Sequence, residues 1–274
     1  MSPSTLACDD TGGAGREVVV LLHGIGGGRQ IWDAAHSGTA LALAAAGYRV
    51  LAVDLPGYGG SPLPRTPLTV SSMAEAVVQF LQHKDIARAH VLGHSMGGMV
   101  AQEIAALHPQ FLQTVVLACT SSALGKPGGD WQQAFVQARL KPLDDGLGML
   151  ELARQLVAGM VAPGCPAGLQ ALGSQVMAQV PEATYRAALQ AIVAFDRRAA
   201  LATLGVPTLC LAAEHDRTAP PDVMQRMSQR LPLGDYACIP GAGHLANVEN
   251  SAAFSQAVIE FLNRHSGHRT MAGH

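Results

Sequence analysis

Residues 93–97 read Gly-His-Ser-Met-Gly, and they follow the short apolar run at residues 89–92. The run has the composition of a buried strand, whereas residues 96–108 have helical character. A strand that turns directly into a helix bends tightly, which strains the turning residue and requires small neighbours. The two glycines of the pattern meet that requirement. We therefore predict that Ser95 lies at the bend, with its hydroxyl projecting above the sheet at the start of a helix.

Other apolar runs resemble the one at residues 89–92 and alternate with helical segments. Runs rich in Val and Leu are typical of strands buried on both faces of a parallel sheet. The predicted strands are 17–22, 48–53, 89–92, 114–118, 207–213 and 236–239, and the helices that alternate with them are 31–46, 70–83, 96–108, 221–230 and 250–264. Such alternation implies right-handed crossover units. The sequence therefore predicts an α/β fold with a mostly parallel central sheet and helices on both faces.

The alternation is interrupted by residues 123–196, which contain no convincing strand. Helical stretches at 130–140, 146–160, 169–180 and 181–195 fill this segment, separated by joints that carry Gly and Pro. We therefore predict a core formed by residues 1–122 and 197–264 and a helical insertion formed by residues 123–196. Residues 265–274 are polar and are expected to be a disordered tail.

The composition excludes several classes of partner. The chain has 274 residues, 49% of them hydrophobic, and a net charge of −2, so neither nucleic acid nor an anionic membrane surface is an expected partner. No apolar stretch approaches the roughly 18 residues that a membrane span needs. The N-terminus lacks the features of a signal peptide. Five cysteines without C-x-x-C spacing favour a reducing compartment over disulfides or a zinc site. We expect a cytoplasmic protein.

A serine hydroxyl is a poor nucleophile at neutral pH, so Ser95 needs a neighbouring base. The chain offers 11 histidines. His244 lies in a Gly-rich loop after the last predicted strand, and loops at the carboxyl ends of parallel strands meet at one edge of the sheet. His94 is expected to pack beneath the bend. The sequence therefore predicts His244 as the base.

The base in turn needs an acid that fixes its tautomer. Asp216 follows the predicted strand 207–213 and precedes His244, which gives the chain order Ser, Asp, His. Glu214 is the nearest rival but lies closer to the end of the strand. The loop at residues 119–122 carries no carboxylate. Asp216 is therefore the predicted acid.

A tetrahedral oxyanion needs two preorganised N–H donors. The Met96 amide, next to Ser95, is one candidate. The Ile25 amide, in the Gly-rich loop at residues 23–28, is the other. This loop matches neither glycine pattern of nucleotide-binding sites. We therefore expect an oxyanion hole and no nucleotide, organic cofactor or metal.

These motifs together resemble those of the α/β-hydrolase superfamily, and the resemblance covers nearly the whole chain. The matching stretches are Leu21-Leu-His-Gly24, Val53-Asp-Leu-Pro-Gly-Tyr-Gly-Gly-Ser61, Gly93-His-Ser-Met-Gly-Gly98, Glu214-His-Asp216 and Gly243-His244. The resemblance implies the α/β-hydrolase fold. It also implies that the insertion at residues 123–196 is a cap that roofs the active site and sets substrate choice.

Within the superfamily, residues 244–249 look most like those of the 3-oxoadipate enol-lactonases and related esterases and lactonases. The resemblance implies a serine hydrolase that cleaves esters or lactones of a small, largely apolar substrate through an acyl-enzyme. The alternatives are C–C bond hydrolysis of ring-cleavage products or perhydrolysis on the same triad, and a non-catalytic ligand-binding protein. Leu245 stands where the C–C hydrolases typically carry tryptophan, which disfavours C–C bond hydrolysis. Dehalogenases need aspartate in place of Ser95, which disfavours dehalogenation as a further alternative on this fold.

The cap sequence gives a first indication of the substrate. Its many Leu, Ala, Val and Met residues predict an apolar roof over the site. A carboxylated lactone would need a cation as well, and four basic side chains are candidates: Arg139, Lys141, Arg154 and Arg186. The sequence does not rank them, because an exposed charge on a helix explains each one equally. It identifies a small molecule as the partner and leaves the oligomeric state open.

Overall fold

The central sheet of the computed structural model lies within residues 6–126 and 128–267, which the structure describes. Its seven strands are β1 (Cys8–Asp10), β2 (Val18–Leu22), β3 (Arg49–Val53), β4 (Ala89–His94), β5 (Leu112–Ala118), β6 (Thr208–Ala213) and β7 (Gly234–Ile239). Their order across the sheet is β1-β3-β2-β4-β5-β6-β7. Every neighbouring pair is parallel except β1 with β3. The predicted mostly parallel sheet is thus confirmed.

Helices cover both faces of the sheet. They are α1 (Thr39–Ala45), α2 (Val70–His83), α3 (Met96–Leu107), α4 (Asp130–Asp144), α5 (Met149–Met160), α6 (Ala167–Ala178), α7 (Glu182–Val193), α8 (Pro221–Arg230), α9 (Ala246–Glu249) and α10 (Ser251–His265). Short 3₁₀ helices lie at Arg29–Trp32, Pro109–Phe111 and Leu201–Thr203. The predicted helices on both sides of the sheet are present.

Two hydrophobic clusters flank the sheet, and the alternation of side chains along β2 shows how. Val20 and Leu22 pack with side chains of α2 and α3 on one face. Val19 and Leu21 pack with side chains of α1 and α10 on the other face. Since successive side chains of a strand point to opposite faces, a strand covered on both sides must be apolar throughout. This explains the continuous apolar runs of the sequence.

Two local features differ from the predictions. The first is that residues 31–46 do not form one helix. The Asp33 carboxylate accepts hydrogen bonds from the amides of Ala35 and His36 and so forms a turn that competes with a helix. The helix α1 begins only after Gly38, whose φ of +65° is left-handed. The second is β1, a partly exposed edge strand with two aspartates and no apolar alternation.

Helices α4 to α7 form the predicted insertion between β5 and β6. An isolated antiparallel bridge pairs Ala123 with Asp196. The Arg197 amide donates to the Ser122 carbonyl oxygen at 2.8 Å. The Arg197 guanidinium forms two hydrogen bonds with the buried Glu103 carboxylate on α3, at 2.5 and 2.6 Å. The predicted boundaries at residues 123 and 196 fall at this bridge, and we keep the name cap for this segment.

The carboxyl-terminal end of the described chain packs on the core. The helix α10 includes His265, the first residue of the predicted tail. Ser266 Oγ lies 2.7 Å from the Tyr48 hydroxyl. Residues 268–274 of that predicted tail lie outside the described residues. Within the part of the chain that is described, none of the helices combines the length and apolar character required to cross a membrane.

Candidate active site

The bend after β4 places Ser95 in a strained conformation. Its φ of +53° and ψ of −116° are uncommon for a residue with a side chain. The Ser95 amide donates to the Ala118 carbonyl oxygen at 2.9 Å, and the Thr120 hydroxyl donates to the Ser95 carbonyl oxygen at 2.7 Å. These contacts with the end of β5 hold the strained turn, so Ser95 lies at the bend between β4 and α3, as the sequence predicts.

The glycines around Ser95 allow β4 and α3 to approach each other. A Cβ atom added at Gly93 would lie 2.2 Å from the Gly97 carbonyl oxygen. One added at Gly97 would lie 2.3 Å from the Leu22 carbonyl oxygen. Both distances are far below van der Waals contact, and the clashing atoms belong to the backbone. The glycine spacing is therefore a steric requirement of the tight turn.

The structure brings together three of the residues that the sequence singled out. Ser95 Oγ lies 3.0 Å from His244 Nε2. His244 Nδ1 lies 2.8 Å from Asp216 Oδ2. Both His244 and Asp216 are buried. They come from the loops after β7 and β6, so three carboxyl-terminal strand ends supply one continuous hydrogen-bonded chain.

The environment of Asp216 keeps its carboxylate ionised. Burial raises its pKa, but the His244 ring and the amides of Ala219 and Thr218 outweigh that effect, and the net pKa lies below the ordinary value. The two amides donate to Asp216 Oδ1 at 3.0 and 2.7 Å. The rival Glu214 is exposed and instead accepts a hydrogen bond from the Gly241 amide. The geometry therefore favours Asp216 as the partner of His244.

The loop that carries His244 is fixed from two sides. The His244 amide donates to the Met160 carbonyl oxygen at the end of α5, at 2.7 Å. On the other side, His94 Nε2 donates to the His244 carbonyl oxygen at 2.7 Å. His94 is buried, and burial together with the nearby His244 ring lowers its pKa to about 4. His94 is thus neutral, and it packs beneath the bend as the sequence predicts.

We expect the low pKa of His94 to make the protein less stable in mild acid. Between the ordinary pKa of 6.5 and the folded value of about 4, the unfolded chain binds a proton that the folded chain does not, so stability falls as the pH drops through this range. When the pH is lowered from 7.5 to 5, the free energy of unfolding should decrease in both proteins. The decrease should be about 2 kcal/mol smaller in His94→Gln than in wild type, because the variant lacks this titrating group. Urea unfolding at the two pH values measures the difference.

The control for this measurement is His83→Gln, since His83 lies exposed near the end of α2. Its loss of stability on acidification should equal that of wild type. Equal losses for His94→Gln and wild type would contradict a neutral, buried His94.

The predicted oxyanion donors lie beside Ser95. The Ile25 and Met96 residues line the same cavity as Ser95. Among the described residues, neither amide donates to another protein group. A Cβ atom added at Gly24 would lie 3.2 Å from the Ser95 Cβ, so the loop packs directly against the bend. The Tyr58 hydroxyl donates to the Ile25 carbonyl oxygen at 3.1 Å and helps to fix that loop.

The cavity over Ser95 lies between the carboxyl edge of the sheet and the cap, and its wall is mostly apolar. Side chains from all four cap helices contribute to it: Phe135, Val157, Met160, Val176, Met177, Leu189 and Ile192. In the described part of the chain, no group of three or more His, Cys, Asp or Glu side chains is arranged to hold a metal ion. The cysteines are free thiols. The cap thus gives the cavity a largely apolar roof, as the sequence predicts.

The sequence did not identify Asn247, which also lines the cavity. Its side chain is buried, and neither its amide nitrogen nor its oxygen has a hydrogen-bond partner among the described residues. Buried amides without partners are rare in folded proteins. The one signal available in the sequence was its position three residues after His244. Asn247 is thus an unpartnered buried amide next to the cavity.

Comparison with known proteins agrees with this architecture. The model of the Alpha/beta hydrolase family matches residues 19–257. RutD of Variovorax paradoxus (strain S110), whose name ascribes carbamate hydrolysis to it, is 32% identical over 92% of this chain and 94% of its own length. A 2-hydroxy-6-oxononadienedioate/2-hydroxy-6-oxononatrienedioate hydrolase of Pseudomonas sp is 31% identical over 92% and 90% of the two chains.

A solved structure gives the same result for the fold. The enol-lactonase from Burkholderia xenovorans LB400 superposes with a TM-score of 0.82 over 94% of this chain and 96% of the other, at 25% identity. The chain belongs to the alpha/beta hydrolase family.

Proposed function

We propose that this member of the family is a serine hydrolase that cleaves carboxylic esters or lactones of a small, largely apolar substrate. One observation carries the proposal. Ser95 Oγ lies 3.0 Å from His244 Nε2, and His244 Nδ1 lies 2.8 Å from the Asp216 carboxylate. A hydroxyl with a base in hydrogen-bond reach, and a base oriented by a buried acid, is the arrangement that nucleophilic acyl transfer needs.

The first half of the proposed reaction acylates Ser95. His244 accepts the hydroxyl proton while Ser95 Oγ attacks the substrate carbonyl carbon, and the Asp216 carboxylate stabilises the imidazolium that results. The amides of Ile25 and Met96 then donate hydrogen bonds to the oxyanion, and the amino-terminal end of α3 favours the same negative charge. His244 returns the proton to the departing oxygen, which leaves an acyl-enzyme.

The second half hydrolyses the acyl-enzyme. His244 removes a proton from a water molecule, whose oxygen attacks the acyl carbon, and Ser95 leaves with that proton. These steps use side chains and amides that line one cavity, together with the buried Asp216 carboxylate behind His244, and none of them calls on a metal or an organic cofactor.

The second candidate function is C–C bond hydrolysis on the same triad. The relative from Pseudomonas sp that is 31% identical to this chain carries the name of a 2-hydroxy-6-oxononadienedioate hydrolase, an enzyme of the C–C hydrolase class. This similarity supports the second candidate. Against it stands Leu245, which follows His244 where the sequences of C–C hydrolases typically carry tryptophan. Perhydrolysis on the same triad is a further alternative of this kind. Non-catalytic ligand binding is less favoured, because a hydroxyl, an imidazole and a carboxylate lie within hydrogen-bond distance of one another at the bend.

A substrate panel tests the proposal. We expect purified protein to hydrolyse short-chain 4-nitrophenyl esters or lactones, and a fluorophosphonate probe to label Ser95 covalently, as found by peptide mass spectrometry. Carbamates, amides and vinylogous diketones complete the panel. Turnover confined to the diketones would establish the second candidate instead, and absence of both turnover and labelling would mean a binding protein.

A further inference from the structure

The four basic side chains of the cap differ in their surroundings. Three of them form ion pairs with acidic side chains near the surface: Lys141 with Asp145 at 2.6 Å, Arg154 with Glu151 at 3.3 Å, and Arg186 with Asp144 and Glu182 at 2.7 and 2.8 Å. Arg139 forms no ion pair within the described residues, and it lines the cavity over Ser95. The structure thus ranks candidates that the sequence left equal.

The Arg139 guanidinium is half-buried and only partly satisfied. Its central carbon lies 3.4 Å from the centroid of the Phe135 ring. Its Nη1 donates to the Phe135 carbonyl oxygen at 3.2 Å. A guanidinium has five N–H donors, so most of them have no protein partner in the described part of the chain. Burial lowers the pKa of Arg139, yet a guanidinium keeps its charge at neutral pH.

A second polar group lines the same cavity. Tyr185 on α7 lines the cavity, and its hydroxyl has no hydrogen-bond partner within the described residues. Burial raises the pKa of Tyr185 to about 12, although the charge of Arg139 acts in the opposite direction. The hydroxyl is therefore neutral and able to donate a hydrogen bond.

The rest of the cavity wall leaves this charge without compensation. No Asp or Glu side chain in the described ranges lines the cavity, and the lining includes apolar side chains such as Leu124, Leu189 and Ile192. A cation in an apolar cavity costs free energy unless an anion meets it. A planar carboxylate can accept two N–H donors of a guanidinium in parallel.

We infer that Arg139, assisted by the Tyr185 hydroxyl, binds a carboxylate of the substrate, so that the enzyme acts on esters or lactones that carry a free carboxylate away from the reacting carbonyl. The inference rests on the proposed function and names its substrate class. The carboxylate would bind at the cap, and the apolar part of the substrate would lie along the cavity toward Ser95.

A matched pair of substrates tests the inference: 4-nitrophenyl hydrogen adipate, which carries the carboxylate, and 4-nitrophenyl methyl adipate, in which that group is a neutral methyl ester. We expect wild type to prefer the carboxylate. The ratio of the two kcat/KM values should fall by about 100-fold in Arg139→Gln and by about tenfold in Tyr185→Phe, because each variant removes hydrogen bonds to a charged group. Arg139→Lys should restore part of the ratio.

The matched control is Arg186→Gln, which removes a cation that is paired with Asp144 and Glu182 outside the cavity. We expect it to leave both kcat/KM values unchanged. If Arg139 were only structural, Arg139→Gln would lower both values equally, and the ratio would stay at the wild-type level; that outcome would overturn the inference.

Binding without turnover separates this inference from the proposed function. Calorimetric titration with hexanoate should show binding to wild type and about tenfold weaker binding to Arg139→Gln, with 1-hexanol as the neutral control. If neither adipate is hydrolysed but hexanoate binding depends on Arg139, the proposed reaction fails and the carboxylate site stands. If hexanoate binds both proteins equally, the carboxylate site fails.

Discussion

Replacement of Ser95 by alanine should lower kcat for ester hydrolysis by about 10⁵- to 10⁶-fold, because the variant has no oxygen to form the acyl-enzyme. The residual rate should still exceed that of the reaction in water, since the amides of Ile25 and Met96 would remain able to stabilise an oxyanion. Stopped-flow or steady-state release of 4-nitrophenol measures the loss. Labelling by a fluorophosphonate should disappear together with the activity.

The chain offers a matched control for this variant. Ser121 also lines the cavity, but its hydroxyl donates to the Ala123 carbonyl oxygen and has no contact with His244. We expect Ser121→Ala to change kcat by no more than about threefold, which is under 1 kcal/mol. Both variants should unfold at the wild-type temperature. A folded Ser95→Ala protein that kept a tenth of the wild-type rate would rule out Ser95 as the nucleophile.

Replacement of Asp216 by asparagine should lower kcat by about 10⁴-fold. The asparagine side chain has nearly the same shape, but it carries no charge to stabilise the His244 imidazolium, and its NH₂ group can hold the wrong tautomer of the ring. KM should change little, because Asp216 lies behind His244 and away from the cavity wall. The kinetic constants for a 4-nitrophenyl ester separate the two effects.

Glu214→Gln provides the comparison for Asp216→Asn. Glu214 lies two residues away on the same loop, and its exposed carboxylate accepts a hydrogen bond from the Gly241 amide. We expect its kcat to remain within about twofold of wild type. A larger loss in Glu214→Gln than in Asp216→Asn would transfer the role of the acid to Glu214.

Much of the fold was predictable because its central strands, β2 to β6, are buried on both faces. The run at β2 is apolar throughout, since Val19 and Val20 face different clusters. Ser95, Asp216 and His244 were predictable for a related reason: each follows a recognisable strand, and parallel strands end at one edge. The strand β1 was missed because its three residues include Asp9 and Asp10 and carry no apolar pattern.

The substrate-facing residues were not predictable from the sequence, because local patterns do not tell which side of a cap helix faces the cavity. Arg139 and Lys141 are two positions apart on α4, which places them about 200° apart around the helix axis. One faces the cavity and the other pairs with Asp145. Only the packing of α4 against α5 and α7 decides between them.

The bridge between Ala123 and Asp196 bears on how freely the sequence of the cap can vary. Both ends of a long segment meet at one point of the core, and Arg197 fastens that point to Glu103 on α3. All seven described strands lie outside this segment, so the strand pairing of the sheet uses no residue between the two ends. A library of variants restricted to residues 124–195, in which the hydrogen bond from the His244 amide to the Met160 carbonyl oxygen is kept, can therefore vary the cavity roof while the strands that carry the reacting groups stay the same.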